Sequence, residues 1–269
     1  MIKKISIMFV LILALGGVVA FTNEKSSDID IKKHFNGYKG VFKLYDIEND
    51  KYIIYNEDEL TKRTAPASTF KILNSLIALQ TGVVEDENAL KKWDGKERSI
   101  PQWNKDHTLA SAVSNSVVWY FQAVARDVGR ERMEKYIKSV GYGNQVIGDK
   151  IDRFWLDASL KISPNEQFEF VKRLYNEDLP FDRENIQTVK QMLIHEETED
   201  TIFAGKTGTF EENGVNTVGW YVGYAVSKKK PYIFVTRLEK PDSGEGEKIG
   251  GVQARSITKE ILKELDILK

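Results

Sequence analysis

Cysteine is missing from all 269 residues. That excludes disulfides, a thiol nucleophile and a lipid-modified N-terminal cysteine. Histidine is scarce. His34, His107 and His195 lie far apart, and none belongs to an H-E-x-x-H pair. Without thiolates or paired imidazoles, no metal site is expected. His195 stands in "HEETED", which reads as a solvated helix end. The chain also lacks a G-x-S-x-G elbow and a Gly-rich phosphate loop. A Ser-His-Asp hydrolase stays open, but nothing marks one. An excess of one charge is missing too. Lys plus Arg number 39 against 40 Asp plus Glu, a net charge of −1. That balance points to neither nucleic acid nor an anionic membrane surface as partner. The basic "SKKKP" at Ser227–Pro231 reads as a solvated loop.

Long apolar runs are limited to one. "MIKK" is a short basic segment, and "ISIMFVLILALGGVVA" follows it. Gly16 and Gly17 break that run, and Val18 and Ala20 are small residues of the kind that precede a cleavage site. Residues 1–20 are therefore read as a secretory signal, with a retained anchor helix as the alternative. The expectation is an exported protein, periplasmic or extracellular, with no stable membrane association after cleavage. Hydrophobic residues make up 41% of the chain, enough to build a core without disulfides.

What is present is an ordered change of pattern. "GVFKLYDIENDKYIIYN" reads as a hairpin of strands Val41–Asp46 and Tyr52–Tyr55. A short helix precedes it, starting at Asp28 or Asp30. Pro66 suits the first turn of a helix whose apolar residues follow at helical spacing until Gly82. From Glu85 to about Asp200 the pattern is mostly helical. Helices are expected over Ala110–Ser114 and Trp119–Val128, and over Arg130 to Gly141. Another runs from the capping-box spacing Ser163-Pro164-Asn165-Glu166 to Leu174, and one more from Asp182 to about His195. "TIFAGKTGTF", "NTVGWYVGYAV" and "PYIFVTRLE" then read as strands. "SGEGEKIGG" (Ser243–Gly251) reads as a loop, and "QARSITKEILKELDIL" as a closing amphipathic helix. The expected fold is α/β of the α+β type. An antiparallel sheet is flanked by N- and C-terminal helices, with an all-helical lobe inserted. One domain is expected over 21–269, its sheet part about 21–85 plus 200–269 and its helical part about 86–199. The sequence carries no signal for oligomeric state.

The spacing S-x-x-K occurs three times, as Ser68/Lys71, Ser227/Lys230 and Ser256/Lys259. About one match is expected by chance in a chain of this length. Only the first pair has a helix N-terminus ahead of the serine and apolar residues around the lysine. Residues three apart on a helix share a face, so Lys71 can reach the Ser68 hydroxyl. An ordinary lysine is protonated at neutral pH and is no base, but burial favours the neutral amine. K-T-G occurs once, at Lys206-Thr207-Gly208 in a strand-like run. An early S-x-x-K helix with a late K-T-G strand is the constellation of penicillin-interactive serine enzymes.

The chain resembles the class D, oxacillinase-type β-lactamases. Ser68-Thr69-Phe70-Lys71 matches their S-T-F-K, and Ser116-Val117-Val118 their S-x-V. Tyr142-Gly143-Asn144 matches their Y-G-N, and Gly219–Gly223 looks like their G-W-x-x-G strand. Trp155, followed by Leu156, stands where the family has its tryptophan. The resemblance holds over nearly the whole mature chain. It implies a β-lactam substrate and no separate cofactor, only CO2 or bicarbonate to convert Lys71 to N6-carboxylysine. It further implies Ser68 as nucleophile and Ser116 as proton carrier beside Lys206. Trp155 would hold the carboxylated lysine, while Phe70, Val118 and Leu156 keep the pocket apolar. The backbone N–H groups of Ser68 and Thr209 would form the oxyanion hole. Thr207, Gly208, Thr209 and Arg255 would bind substrate, Arg255 through its carboxylate. Tyr142 and Asn144 would shape a loop. The alternative is a β-lactam-sensing or penicillin-binding domain that is acylated without fast turnover.

Overall fold

The computed structural model describes residues 29–240 and 249–269. The signal reading for 1–20, the Asp28 helix start and most of the Ser243–Gly251 loop lie outside the described residues. After a 3-10 turn at Ile31–Phe35 comes the expected hairpin, β1 (Lys39–Asp46) and β2 (Lys51–Tyr55). The Asp46 carboxylate accepts from the Asn49 N–H at 3.0 Å and pins the turn. After a brief 3-10 turn at Glu57–Glu59, another at Ala67–Phe70 leads into α1 (Lys71–Gln80). Two-residue strands β3 (Leu90–Lys91) and β4 (His107–Thr108) then pair with each other. Four helices follow: α2 (Leu109–Ser114), α3 (Val118–Val128), α4 (Arg130–Val140) and α5 (Pro164–Tyr175). Ser163 caps α5 in the anticipated capping box with Glu166. Next come α6 (Arg183–Met192), β5 (Ile194–Glu197), β6 (Thr201–Glu212), β7 (Val215–Ser227), β8 (Lys230–Glu239) and α7 (Gly251–Glu264).

The main sheet has six strands in the order β2-β1-β8-β7-β6-β5, and every neighbouring pair is antiparallel. Phe42, Leu44, Phe203, Phe234 and Leu238 bury one face against α7 and the 3-10 turn at Ile31–Phe35. Val218, Trp220, Val222, Ile233 and Val235 meet the helical lobe on the other. The first and last helical segments thus share one face, as the element order implied. Helix α1 is buried on all sides from Lys71 to Leu79. Such a helix sits at the centre of a core rather than on a surface. Its apolar residues pack with those of α3, including Phe121 and Val124.

Three expectations need correction. The helix from Asp182 stops at Met192 rather than near His195, so His195 lies on edge strand β5. Leu193 continues the apolar spacing of Ile186 and Val189, but its carbonyl accepts from the Gly205 N–H at 2.9 Å. Ile194 then pairs with Ala204, so the sheet part resumes at 194 rather than at about 200. Second, the middle of the chain is less helical than its pattern suggested. Residues 81–106 and 141–162 run largely as loops and turns. Third, the segment after Pro66 is not regular α-helix. Ala67 adopts φ 48°, and the α-helix begins only at Lys71.

Candidate active site

The central helix brings a lysine where an aliphatic side chain would be ordinary. Lys71 is 1% exposed, and its Nζ donates to Ser68 Oγ at 2.7 Å. The amine lies 5.5 Å from the centre of the Phe121 ring. Burial, and after it the charge of Lys206, holds the Lys71 amine well below the ordinary lysine value. A lysine in that state has a free lone pair, so it can accept a proton or react with CO2.

Trp155 is fully buried and stacks on Phe70, with ring centres 5.4 Å apart. Its carbonyl accepts from the Ala67 N–H at 3.1 Å, which ties it to the Ser68 turn. Its indole N–H is buried and has no partner. An indole can only donate, and an unmet buried donor is costly, so this atom fits a group that brings an acceptor. Phe70 is buried beside it, while Val118 and Leu156 are half-buried.

The second pair comes from the other side of the cleft. Lys206 Nζ on β6 donates to Ser116 Oγ at 3.1 Å. Lys206 is 3% exposed, and burial, then the charge of Arg255, pulls its amine down to about 7. Ser116 lies between α2 and α3 at φ 55°. Its turn is held by the Ser116 N–H on the Val113 carbonyl (3.2 Å) and the Val117 N–H on the Ala112 carbonyl (2.9 Å). Trp103 donates its indole N–H to the Asn115 carbonyl at 2.9 Å, and Trp119 donates to the Trp103 carbonyl at 2.7 Å. The two indoles buttress the residue next to Ser116.

Alternation along β6 divides the K-T-G residues between faces. Lys206 and Gly208 face the helical lobe. Thr207 and Thr209 face the start of α7, where the Gly251 N–H donates to Thr209 Oγ1 at 2.9 Å. A Cβ on Gly251 would lie 2.7 Å from Thr207 Cβ, so only glycine allows this approach. Arg255, half-buried, stands one helical turn past Gly251.

The two other S-x-x-K pairs form no site. Ser227 and Lys230 face each other across the β7–β8 turn, and Lys259 binds Glu196. The histidines lie outside as well. His34 meets Glu264, His107 meets Ser111 and the Gln102 carbonyl, and His195 is exposed on β5. Asn144 shapes its loop, accepting from the Lys161 N–H and donating to the Ser159 carbonyl, both at 2.9 Å. Tyr142 reaches Gln167 at 3.3 Å, and Gln167 donates to Thr69 Oγ1 at 2.6 Å. Nothing local singles out Gln167, because its place within α5 looks like any solvated helix position. Among the described residues, no group of three or more His, Asp or Glu side chains could hold a metal ion. No described helix is long and apolar enough to cross a membrane.

A serine beside a buried lysine, a second serine–lysine pair facing it and a K-T-G strand define a serine acyl-transfer enzyme of the penicillin-interactive type. The penicillin binding protein transpeptidase domain family matches residues 9–263. The probable β-lactamase YbxI of Bacillus subtilis (strain 168) is 40% identical over 273 residues, covering 97% of this chain and 98% of the relative. β-Lactamase OXA-48 of Klebsiella pneumoniae is 36% identical over 260 residues, 96% of each chain. The structure of class D β-lactamase BAT-2 superposes with a TM-score of 0.84 at 43% identity, over 90% of this chain and 98% of that one. The chain belongs to the penicillin-binding transpeptidase family and, within it, to the class D β-lactamases.

Proposed function

We propose that this class D enzyme opens β-lactam rings through an acyl-enzyme on Ser68, with Lys71 working as its N6-carboxylated form. The observation that carries the reading is the pairing of two unusual groups beside Ser68, from two segments joined by the Phe70–Trp155 stack. Lys71 is buried 2.7 Å from Ser68 Oγ, and the Trp155 indole N–H nearby lacks an acceptor. Lys71 and Trp155 are the residues that would hold the added CO2, which would supply an anionic oxygen base.

The chain's own residues account for the rest. Ser68 Oγ bonds to the lactam carbonyl carbon as the C–N bond breaks. Its proton leaves on the Lys71 side. The ring nitrogen gains a proton through Ser116, which Lys206 orients at 3.1 Å. The Ser68 and Thr209 N–H groups stabilise the oxyanion, and the helical segment beginning at Ala67 adds its positive end. Thr207, Gly208 and Arg255 bind the substrate carboxylate, for which a guanidinium fork is suited. A water then displaces Ser68 from the acyl carbon, and half-buried Val118 and Leu156 limit how many waters reach it. The basic-then-apolar residues 1–20 support export to the periplasm or the exterior.

Steady-state turnover of a chromogenic cephalosporin tests the hydrolase reading. A single round of acylation with no turnover would favour the sensing or penicillin-binding alternative. Carboxylation fails as an account if Lys71→Ala deacylates normally. It also fails if bicarbonate does not restore activity lost in CO2-free acid.

A further inference from the structure

A row of three residues crosses the sheet beneath the segment that leads to Ser68. Gly208 on β6 pairs with Trp220 on β7, and Trp220 pairs with Arg237 on β8. Directly opposed residues in antiparallel strands point to the same face. Arg237 is completely buried on an interior strand. One end of its guanidinium donates to the Lys62 carbonyl at 2.6 Å. The other end meets Glu59 at 2.5 Å and Glu239 at 3.0 Å. The guanidinium carbon sits 5.7 Å from the centre of the Trp220 ring. Trp220 donates its indole N–H to the Ala65 carbonyl at 3.0 Å. Gly208 contributes by having no side chain, since a Cβ there would lie 2.9 Å from the Pro66 carbonyl oxygen. Carbonyls 62, 65 and 66 are thus met, in order, by strands β8, β7 and β6.

The next residues explain why a grip is needed. Ala67 adopts φ 48°, a left-handed conformation that is strained for a residue with a Cβ. Such a conformation persists only where its surroundings impose it. Ser68 follows directly. Burying a guanidinium against two half-buried carboxylates is itself costly, and these charged groups touch no part of the reaction.

We propose that Arg237 is a positioning residue for the nucleophile. Through the Lys62 carbonyl and through Trp220, it sets where the Ser68 turn sits against Lys71. The inference rests on Ser68 being the nucleophile, as proposed above. Trp220 and Arg237 point to the sheet face opposite Thr207 and α7, which carries Arg255, so they act on the chemical step and not on substrate capture.

The test compares Arg237→Lys and Trp220→Phe singly and together. The lysine keeps a charge for Glu59 and Glu239 but cannot fork to the Lys62 carbonyl as well. The phenylalanine keeps an apolar ring and deletes one N–H. Rates are read below the unfolding temperature, per active site titrated with a slowly released β-lactam. A misplacement of about 1 Å costs on the order of 100-fold in rate. Each single variant should therefore lose about 10- to 100-fold in kcat, with KM within about twofold. The double variant should lose less than the product of the two, because one device is being broken twice. Three results would overturn the proposal: folded single variants with unchanged kcat, effects confined to KM, or losses that multiply. Ser68→Ala, run alongside, separates the two layers. Turnover in that variant would remove the nucleophile assignment itself, whatever Arg237 does.

Discussion

Replacing Trp155 by phenylalanine separates the packing role of its ring from the role of its N–H. The indole is fully buried between Phe70 and Phe154, with ring centres at 5.4 and 5.0 Å. A phenyl ring keeps most of that contact. The lost atoms leave a void on the order of 40 Å³, worth about 1 kcal/mol at about 24 cal/mol per Å³. Against this, the deleted N–H is an unpartnered buried donor. Leaving such a donor unmet costs about 1–3 kcal/mol, so its removal offsets the void. With CO2 stripped away, Trp155→Phe should be as stable as the parent or up to about 2 kcal/mol more stable. With bicarbonate present the two should part. A hydrogen bond to a charged group contributes about 1.5–3 kcal/mol. At about 1.4 kcal/mol per factor of ten, its loss weakens CO2 uptake by Lys71 about 10- to 100-fold. Titration with ¹³C-bicarbonate, followed by NMR, reads that directly and needs no substrate. Turnover against bicarbonate concentration should move in parallel. If both proteins half-saturate at the same bicarbonate concentration, Trp155 is a packing residue and does not hold a carboxylated Lys71.

Two further outcomes are expected. Arg255→Ala removes a charge that depresses Lys206, so the Lys206 pKa should move up from about 7. It should also lower kcat/KM about tenfold or more for carboxylate-bearing substrates, the worth of one charged hydrogen bond. An unchanged kcat/KM would refute that role. Stability should climb with pH. Lys206 holds its proton to about 7 when folded and to 10.5 when unfolded, so the unfolded chain binds more protons in between. Lys71 is shifted in the same direction. Urea midpoints should therefore rise above about pH 7 until the tyrosines begin to titrate, and Lys206→Met should flatten the rise; an equal slope in both proteins would contradict it.

Local signals in the sequence were dependable where the physics is local. The β1–β2 turn, the Ser163 cap of α5 and the stops at Gly129 and Gly141 each depend on a few adjacent residues, and the structure has them all. The reach of Lys71 to Ser68 followed from helical geometry alone, even though Ser68 sits in a 3-10 turn. What escaped was imposed from a distance. Ala67 and Ser116 take positive φ because packing holds them there, and neither residue type announces it. Edge strand β5 looked like more helix because Leu193 keeps helical spacing, and only pairing with β6 settles the matter. Arg237 in "VTRLE" reads as a solvated strand residue. Its burial appears only when Glu59, Lys62 and Trp220 are brought around it.

On the side away from β2, β1 pairs with β8, with Lys39 opposite Glu239, about two hundred residues further along the chain. Until β8 has been made, β1 and β2 are an isolated hairpin, which is marginal in water. The row formed by Gly208, Trp220 and Arg237 is likewise incomplete until the chain is nearly finished. Closing a loop of that size makes folding slow and leaves strand edges exposed while it waits. A chain synthesised from its N-terminus therefore cannot lock the Ser68 turn early. Folding and completion of the site become a single late event, governed by the arrival of the last interior strand.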